Sequence, residues 1–315
     1  MIGISVVLTI CGLCLFEAVS SIDNAVINAG VLSGMGPRAR SWFLGWGILF
    51  AVFVVRGLLP WLIVWATAPQ LGFFGAFTAT FSGDTHALAA LESSSPVLLA
   101  GAGVFLLFLF FHWLFLEVKH FALRLERFFY VNGFWFYAVV SVVLSVIVWF
   151  ALMKHPFVAF GAVVGSSAFF ITHGFKSSAE QKEKELSGSS ASDISKLLYL
   201  EVIDATFSID GVLGAFAFTL SLPLILVGNG LGAFVVRQLT IGSIERIKRY
   251  VYLKNGAMYS VLFLGSFMIL KGFGIHLPEW ISPIATFLVL GLFFLKSCRL
   301  LRRPEGVNHH LCHNR

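Results

Sequence analysis

The chain is poor in charge. Asp, Glu, Lys and Arg make up 12% of its 315 residues, about half the share of a soluble domain. That excludes an ordinary water-soluble globule, and a mean hydropathy of +0.88 agrees. Cysteine is scarce too. Cys11 and Cys14 form a C-x-x-C inside an apolar run, whereas thioredoxin chemistry needs an exposed thiol of low pKa. They read as two small packing residues. No apolar run holds a Ser-His-Asp set, a metal-binding His cluster or a nucleotide loop, so catalysis is not expected. The formal charge of +6 does not imply nucleic acid, because the basic residues sit at the ends of apolar runs rather than on one surface. The apolar start, with Ala18-Val19-Ser20 after it, resembles a signal peptide. It lacks a basic n-region, and Glu17 interrupts it, so cleavage is not expected.

What the chain has is length of apolar run: 58% of it is hydrophobic, with 34 Phe and 8 Trp. Crossing a bilayer takes roughly 20 apolar residues as a helix. Nine runs qualify, near 2–32, 42–66, 97–117, 134–153, 156–175, 197–219, 222–241, 250–271 and 280–298. This predicts an all-α polytopic membrane protein, one transmembrane domain over 1–315 with about nine transmembrane helices. The stretch 70–81 is too short to span and reads as interfacial or re-entrant. The polar, Gly/Ser-rich segment 177–195 reads as a flexible cytoplasmic linker. It separates a first half, 1–120, from a second, 196–300, and residues 301–315 form a tail.

Basic residues set the orientation. Seventeen fall in alternate loops and the tail, among them Arg38, Lys119, Lys176, Lys182, Arg246 and Arg299, against Lys154 and Lys271 on the other side. The expected protein lies in the plasma (inner) membrane with its N-terminus outside and its C-terminus in the cytoplasm. Membrane lipid is its expected surrounding, and homo-oligomerisation is compatible with such a bundle.

The halves resemble each other. "EAVSSIDNAVINAG" in the first run is matched by "DATFSIDGVLGAFA" in the sixth, aligning Glu17 with Asp204 and Asp23 with Asp210. The following run of each half carries "FVVR", ending at Arg56 and Arg237. Under the expected topology the two units run in opposite directions. An inverted repeat is characteristic of secondary transporters, which bind substrate near the midplane.

Eight charges fall inside the runs: Glu17, Asp23, Glu201, Asp204 and Asp210, with Arg56, Arg237 and Lys254. One central charge costs roughly 2.5–3.5 kcal/mol on insertion scales, so these groups are expected inside the bundle with partners. Glu201 and Asp204 share a helix face. Asp204 and Asp210 stand about 120° apart on an ideal helix, so their convergence requires unwinding near Gly211 and Gly214. Hard oxygens from Glu17, Asp23, Asn24, Glu201, Asp204 and Asp210 suit Mn²⁺, Mg²⁺ or Ca²⁺ as substrate, with no tightly bound cofactor. Arg56, Arg237 and Lys254 are the supporting charge partners. His112, Glu117 and His173 read as polar helix caps, and "NHHLCH" at 308–313 as a disordered tail.

At these residues the chain resembles the TerC/Alx integral membrane family. Its first-helix motif, E-x-x-L-S-x-D-N, stands here as "EAVSSIDN", with Ser20 at the Leu place. Its E-x-x-D-x-x-F-x-x-D-S stands as "EVIDATFSIDG", with Gly211 at the Ser place. "GILFAVFVVRGLLPWLIV" is closest to a TerC-related branch catalogued as a domain of unknown function. The resemblance implies export of a metal ion, chiefly manganese, a link to tellurium resistance, and kinship with LysE-type exporters. It also implies that Glu17, Asp23, Glu201, Asp204 and Asp210 form the ion site. A LysE-like exporter of a small organic solute, or a stress-resistance partner subunit without transport, are the alternatives.

Overall fold

Long apolar runs fold as helices because a helix satisfies its own backbone polar groups, which hydrocarbon cannot do. The computed structural model describes residues 2–21, 25, 32, 35–50, 56–76, 85–119, 121–187, 192–242, 249–278 and 280–301. Among them are eleven α-helices and no strand: α1 (Ile2–Ser20), α2 (Pro37–Leu49), α3 (Leu59–Thr67), α4 (Thr85–Leu116), α5 (Arg124–Val131), α6 (Phe136–Lys154), α7 (Pro156–Ser187), α8 (Asp193–Ala215), α9 (Leu222–Gly242), α10 (Leu253–Gly272) and α11 (Ile281–Leu301).

Among the described residues six stretches are long and apolar enough to cross a membrane: Gly3–Ser20, Glu92–Leu116, Gly133–Lys154, Pro156–Ser178, Leu253–Gly272 and Ile281–Leu301. The chain is a helical membrane protein. The other three expected runs are also helical in their described parts. The run 42–66 covers most of α2 and α3, with 51–55 outside the described residues. The run 197–219 is α8 as far as Ala215, with a turn after it, and the acids of α8 lower its hydropathy; 222–241 is α9, apolar only over Leu222–Gln238. Of the stretch 70–81, Pro69–Leu71 is a 3-10 turn and 73–76 a helical turn, and 77–81 lie outside the described residues.

The segment expected as a loose linker is mostly helix. α7 continues to Ser187 and α8 begins at Asp193, leaving only 188–191 undescribed. Polarity rules out a membrane span but not a helix, and the Glu, Gln and Lys residues of 180–185 are good helix formers. Ser192 caps α8, its Oγ accepting from the Ser195 amide at 3.3 Å. Asp193 in turn accepts from the Gly36 amide at 3.1 Å, which ties the start of α2 to the start of α8.

α4 is the central element. Leu98, Ala102, Val104, Phe105, Leu106, Phe108, Trp113 and Phe115 are all buried, as expected of a helix apolar on every side. α7 and α10 flank it at close range through glycines. A Cβ on Gly101 would stand 2.8 Å from the Gly161 carbonyl oxygen, and one on Gly165 would collide with the Gly101 backbone. A Cβ on Gly103 would stand 2.9 Å from the Gly265 carbonyl oxygen. Small residues that let backbones approach are how membrane helices gain dispersion contact when lipid is as apolar as leucine. α6, by contrast, is peripheral: Tyr137, Val142, Val146, Trp149 and Phe150 are exposed, and suit a lipid-facing surface. Cys11 is exposed on α1, Cys14 is partly covered, and both are free thiols.

Candidate functional site

Acids and arginines meet where α1, α8 and α9 come together. Glu17 lies one turn from the end of α1 and is completely buried. Its Oε1 is crowded with donors: Arg56 Nε at 3.1 Å, Arg56 Nη2 at 2.5 Å and Ser21 Oγ at 3.0 Å. Its Oε2 accepts no hydrogen bond among the described residues. That oxygen faces α8 at Gly211, where a Cβ would strike it. Gly232 of α9 lies against the stem of the same side chain, where a Cβ would come within 2.5 Å of Glu17 Cβ.

Asp204 joins the two arginines. Its Oδ2 is 3.4 Å from Arg237 Nη2 and 3.7 Å from Arg56 Nη1. Arg237 also donates from Nη1 to the Phe43 carbonyl at 2.6 Å and lies 4.0 Å over the Phe43 ring, so α2 fixes its position. Glu201, one turn before Asp204, is 3.8 Å from Arg237 Nη2, beyond hydrogen-bond reach. Both of its carboxylate oxygens lack a donor among the described residues. Glu201 also closes against Gly47 of α2, where any Cβ would clash with its Oε1. All five charged groups are at most 7% exposed. Three carboxylates against two guanidiniums leave one negative charge if all are ionised. Each half of the chain thus pairs an acid with its own arginine, Glu17 with Arg56 and Asp204 with Arg237, and Arg56 bridges the two.

Two expected members stand elsewhere. α8 does not unwind between Asp204 and Asp210 but stays helical to Ala215. The angle between them therefore survives, and Asp210 turns toward α7, where Lys176 forms an ion pair with it. Lys254 pairs with Glu117 at the neighbouring ends of α10 and α4, both side chains about a third exposed. Next to that pair, Lys119 supplies the cap of α4, donating to the Trp113 and Leu114 carbonyls at 2.5 and 2.9 Å. Burial pushes the Lys119 pKa below the ordinary lysine value, against the opposing pull of Glu117 and Glu126. Asp23, Asn24 and the tail beyond residue 301 lie outside the described residues.

Some site residues carried no charge to announce them. Asn229 is completely buried on α9 and donates to the Gly211 carbonyl at 3.4 Å. Ser208 donates to the Asp204 carbonyl at 2.6 Å. Gly47, Gly211 and Gly232 make room for carboxylates rather than contribute groups. Among the described residues no three His, Cys, Asp or Glu side chains converge closely enough to hold a metal ion. A cavity of about 1040 Å³ lies between α3, α4, α7 and α8, and none of the five clustered charges lines it. Its wall is mainly apolar, including Leu59, Phe105, Val164 and Leu213, and it reaches Ile209, the neighbour of Asp210.

The profile of a family described as "Protein of unknown function (DUF475)" matches residues 22–304. The chain belongs to that family. No curated protein and no solved structure matches it.

Proposed function

We propose that this member of the DUF475 family is a secondary transporter that exports a divalent metal ion, Mn²⁺ foremost, from the cytoplasm. The observation that carries the reading is the cluster of Glu17, Glu201 and Asp204 inside the bundle, one negative charge in excess of Arg56 and Arg237, with three buried carboxylate oxygens that accept no hydrogen bond among the described residues. Buried polar atoms are ordinarily paired, and ionisable groups within a membrane mark ion pathways by default. Hard oxygens select Mn²⁺, Mg²⁺ or Ca²⁺ over metals that favour thiolate or imidazole.

The described carboxylates do not complete a cage. The loaded site would draw on Asp23 and Asn24, just beyond Ser21, and the arginines would give way as the cation takes their carboxylates. The pairing of each acid with the arginine of its own half supports the repeat; nine spans with the N-terminus outside, in the inner membrane, rest on the apolar runs and on the side that holds the basic residues. Movement of the matched elements of the two halves, α1 and α2 from the first and α8 and α9 from the second, would give alternating access. The two guanidiniums favour one competing reading, a LysE-like exporter whose arginines hold the carboxylate of an organic solute.

Elemental analysis of cells that express the protein tests this. Cells exposed to Mn²⁺ are expected to retain less of it, with a smaller effect on Zn²⁺, and Asp204→Asn or Glu17→Gln is expected to abolish the difference while the protein still inserts. A fall in zinc with manganese unchanged rejects the oxygen-shell argument. No change in any metal favours the solute exporter or a partner subunit without transport.

A further inference from the structure

Two histidines lie ring against ring between membrane helices. His112 of α4 and His173 of α7 have centroids 3.8 Å apart. Aromatic rings enclose them: Phe136 is 5.7 Å from His112, and Phe169 stacks on His173 at 5.8 Å with planes 3° apart. One turn beyond His173 on the same helix stands Lys176, which holds Asp210 of α8. The line His112, His173, Lys176, Asp210 therefore crosses three helices, and it avoids the acid–arginine cluster.

We propose that the His112–His173 pair is a proton-binding site, coupled through Lys176 to Asp210. A neutral imidazole carries one donor and one acceptor nitrogen, so either ring of the pair can take up a proton, and the charge it gains opposes uptake of a second by its close neighbour. A metal ion fits less well. Zinc takes three or four protein ligands, and among the described residues no third His, Cys, Asp or Glu joins the two. The charges that act on the pair are Lys119 just beyond the end of α4, Lys176 from α7 and Asp210 from α8. Glu117 and Lys254, at the ends of α4 and α10, offset each other, and α6 contributes the uncharged Phe136 ring.

Uptake of a proton places a second positive charge beside Lys176. The imidazolium then competes with the ammonium for Asp210, whose Oδ1 accepts no hydrogen bond among the described residues. Asp210 is followed by Gly211, the point at which α8 touches Glu17 Oε2. A change of partner at Asp210 is thus delivered one residue from the ion cluster. The proton site stands on its own geometry; its role as the exchanged ion rests on the transport reading.

The test is titration of the whole protein in nanodiscs with ¹⁵N-labelled histidine, followed by NMR from about pH 3 to 8, and a pair that takes up no proton in that range would overturn the proposal. The signals are assigned with His112→Gln and His173→Gln. Removing either imidazole is expected to move the midpoint of the other by about one pH unit. Lys176→Met, which leaves both rings in place, is expected to move both. Midpoints that ignore the partner and Lys176 would overturn the proposal, as would selective broadening of both signals by micromolar Zn²⁺. In vesicles, the double variant is expected to lose the dependence of Mn²⁺ flux on a pH gradient while keeping flux down a Mn²⁺ gradient. Retained gradient dependence overturns the exchange role. Vesicles of the wild type that move no Mn²⁺ overturn the transport reading, and the NMR titration alone then decides the proton site.

Discussion

Arg56 reaches across the chain to Asp204: its Nη1 stands 3.7 Å from Oδ2, while the rest of the guanidinium holds Glu17. One base from the first half thus serves an acid from each half, in a place neither side chain can leave for water.

Loss of that base should leave Glu17 buried and uncompensated. Arg56→Gln is expected to destabilise the protein by about 3–5 kcal/mol. Adding Glu17→Gln should recover a large part, because a neutral amide does not demand a cation. Unfolding of the two single variants and the double in micelles gives the coupling. Strictly additive effects would show that the two groups do not depend on each other.

Gly211 is expected to tolerate no side chain while Glu17 is present. Gly211→Ser puts Cβ against Glu17 Oε2 and should cost about 1–3 kcal/mol as overpacking. In a Glu17→Ala background the penalty should largely vanish. Gly291 of α11 has open space around its Cβ position, so Gly291→Ala should stay within about 0.5 kcal/mol of the parent. Equal costs at the two glycines would contradict the contact.

The approach of α4 and α7 makes a separate prediction. Gly165→Ala drives a methyl group into the Gly101 backbone, which cannot rotate aside as a side chain can. The variant is expected to unfold earlier in thermal melts than Gly174→Ala on the same helix, where a Cβ meets nothing within 4 Å. Similar melts for both would count against so close a crossing.

The expected topology is open to chemical labelling. Single cysteines at Ala90 and Ser190 should react from opposite sides of the membrane, the first with an impermeant reagent added outside and the second only after permeabilisation. External labelling at 190 would reverse the orientation drawn from the basic residues.

Helical membrane architecture was legible in the sequence because hydrocarbon imposes a single periodic demand, some twenty apolar residues in a row. The pairing of Glu17 with Arg56 and of Asp204 with Arg237 was also within reach, since charges of both signs inside apolar runs must find one another. The fate of Asp210 was not. Gly211 and Gly214 suggested an unwound segment, yet glycine serves here for proximity: it lets α8 lie against Glu17 and Phe16 while the helix stays intact. The histidine pair was hidden for a different reason. His112 and His173 lie 61 positions apart, and no local spacing relates them. The polar stretch after Lys176 misled because composition distinguishes wet from dry more surely than coil from helix.

The glycine crossings of α4 have a mechanical consequence. Where two backbones touch, no layer of side chains lies between them to repack, so the interface has no second arrangement nearby. Sliding α4 by one turn, about 5.4 Å, would bring Val97 or Phe105 to the place of Gly101, opposite Gly165. Neither fits. α4, α7 and α10 therefore behave as a keel of fixed register, and any rearrangement that opens the buried carboxylates must be carried by α1, α2, α8 and α9 moving over it.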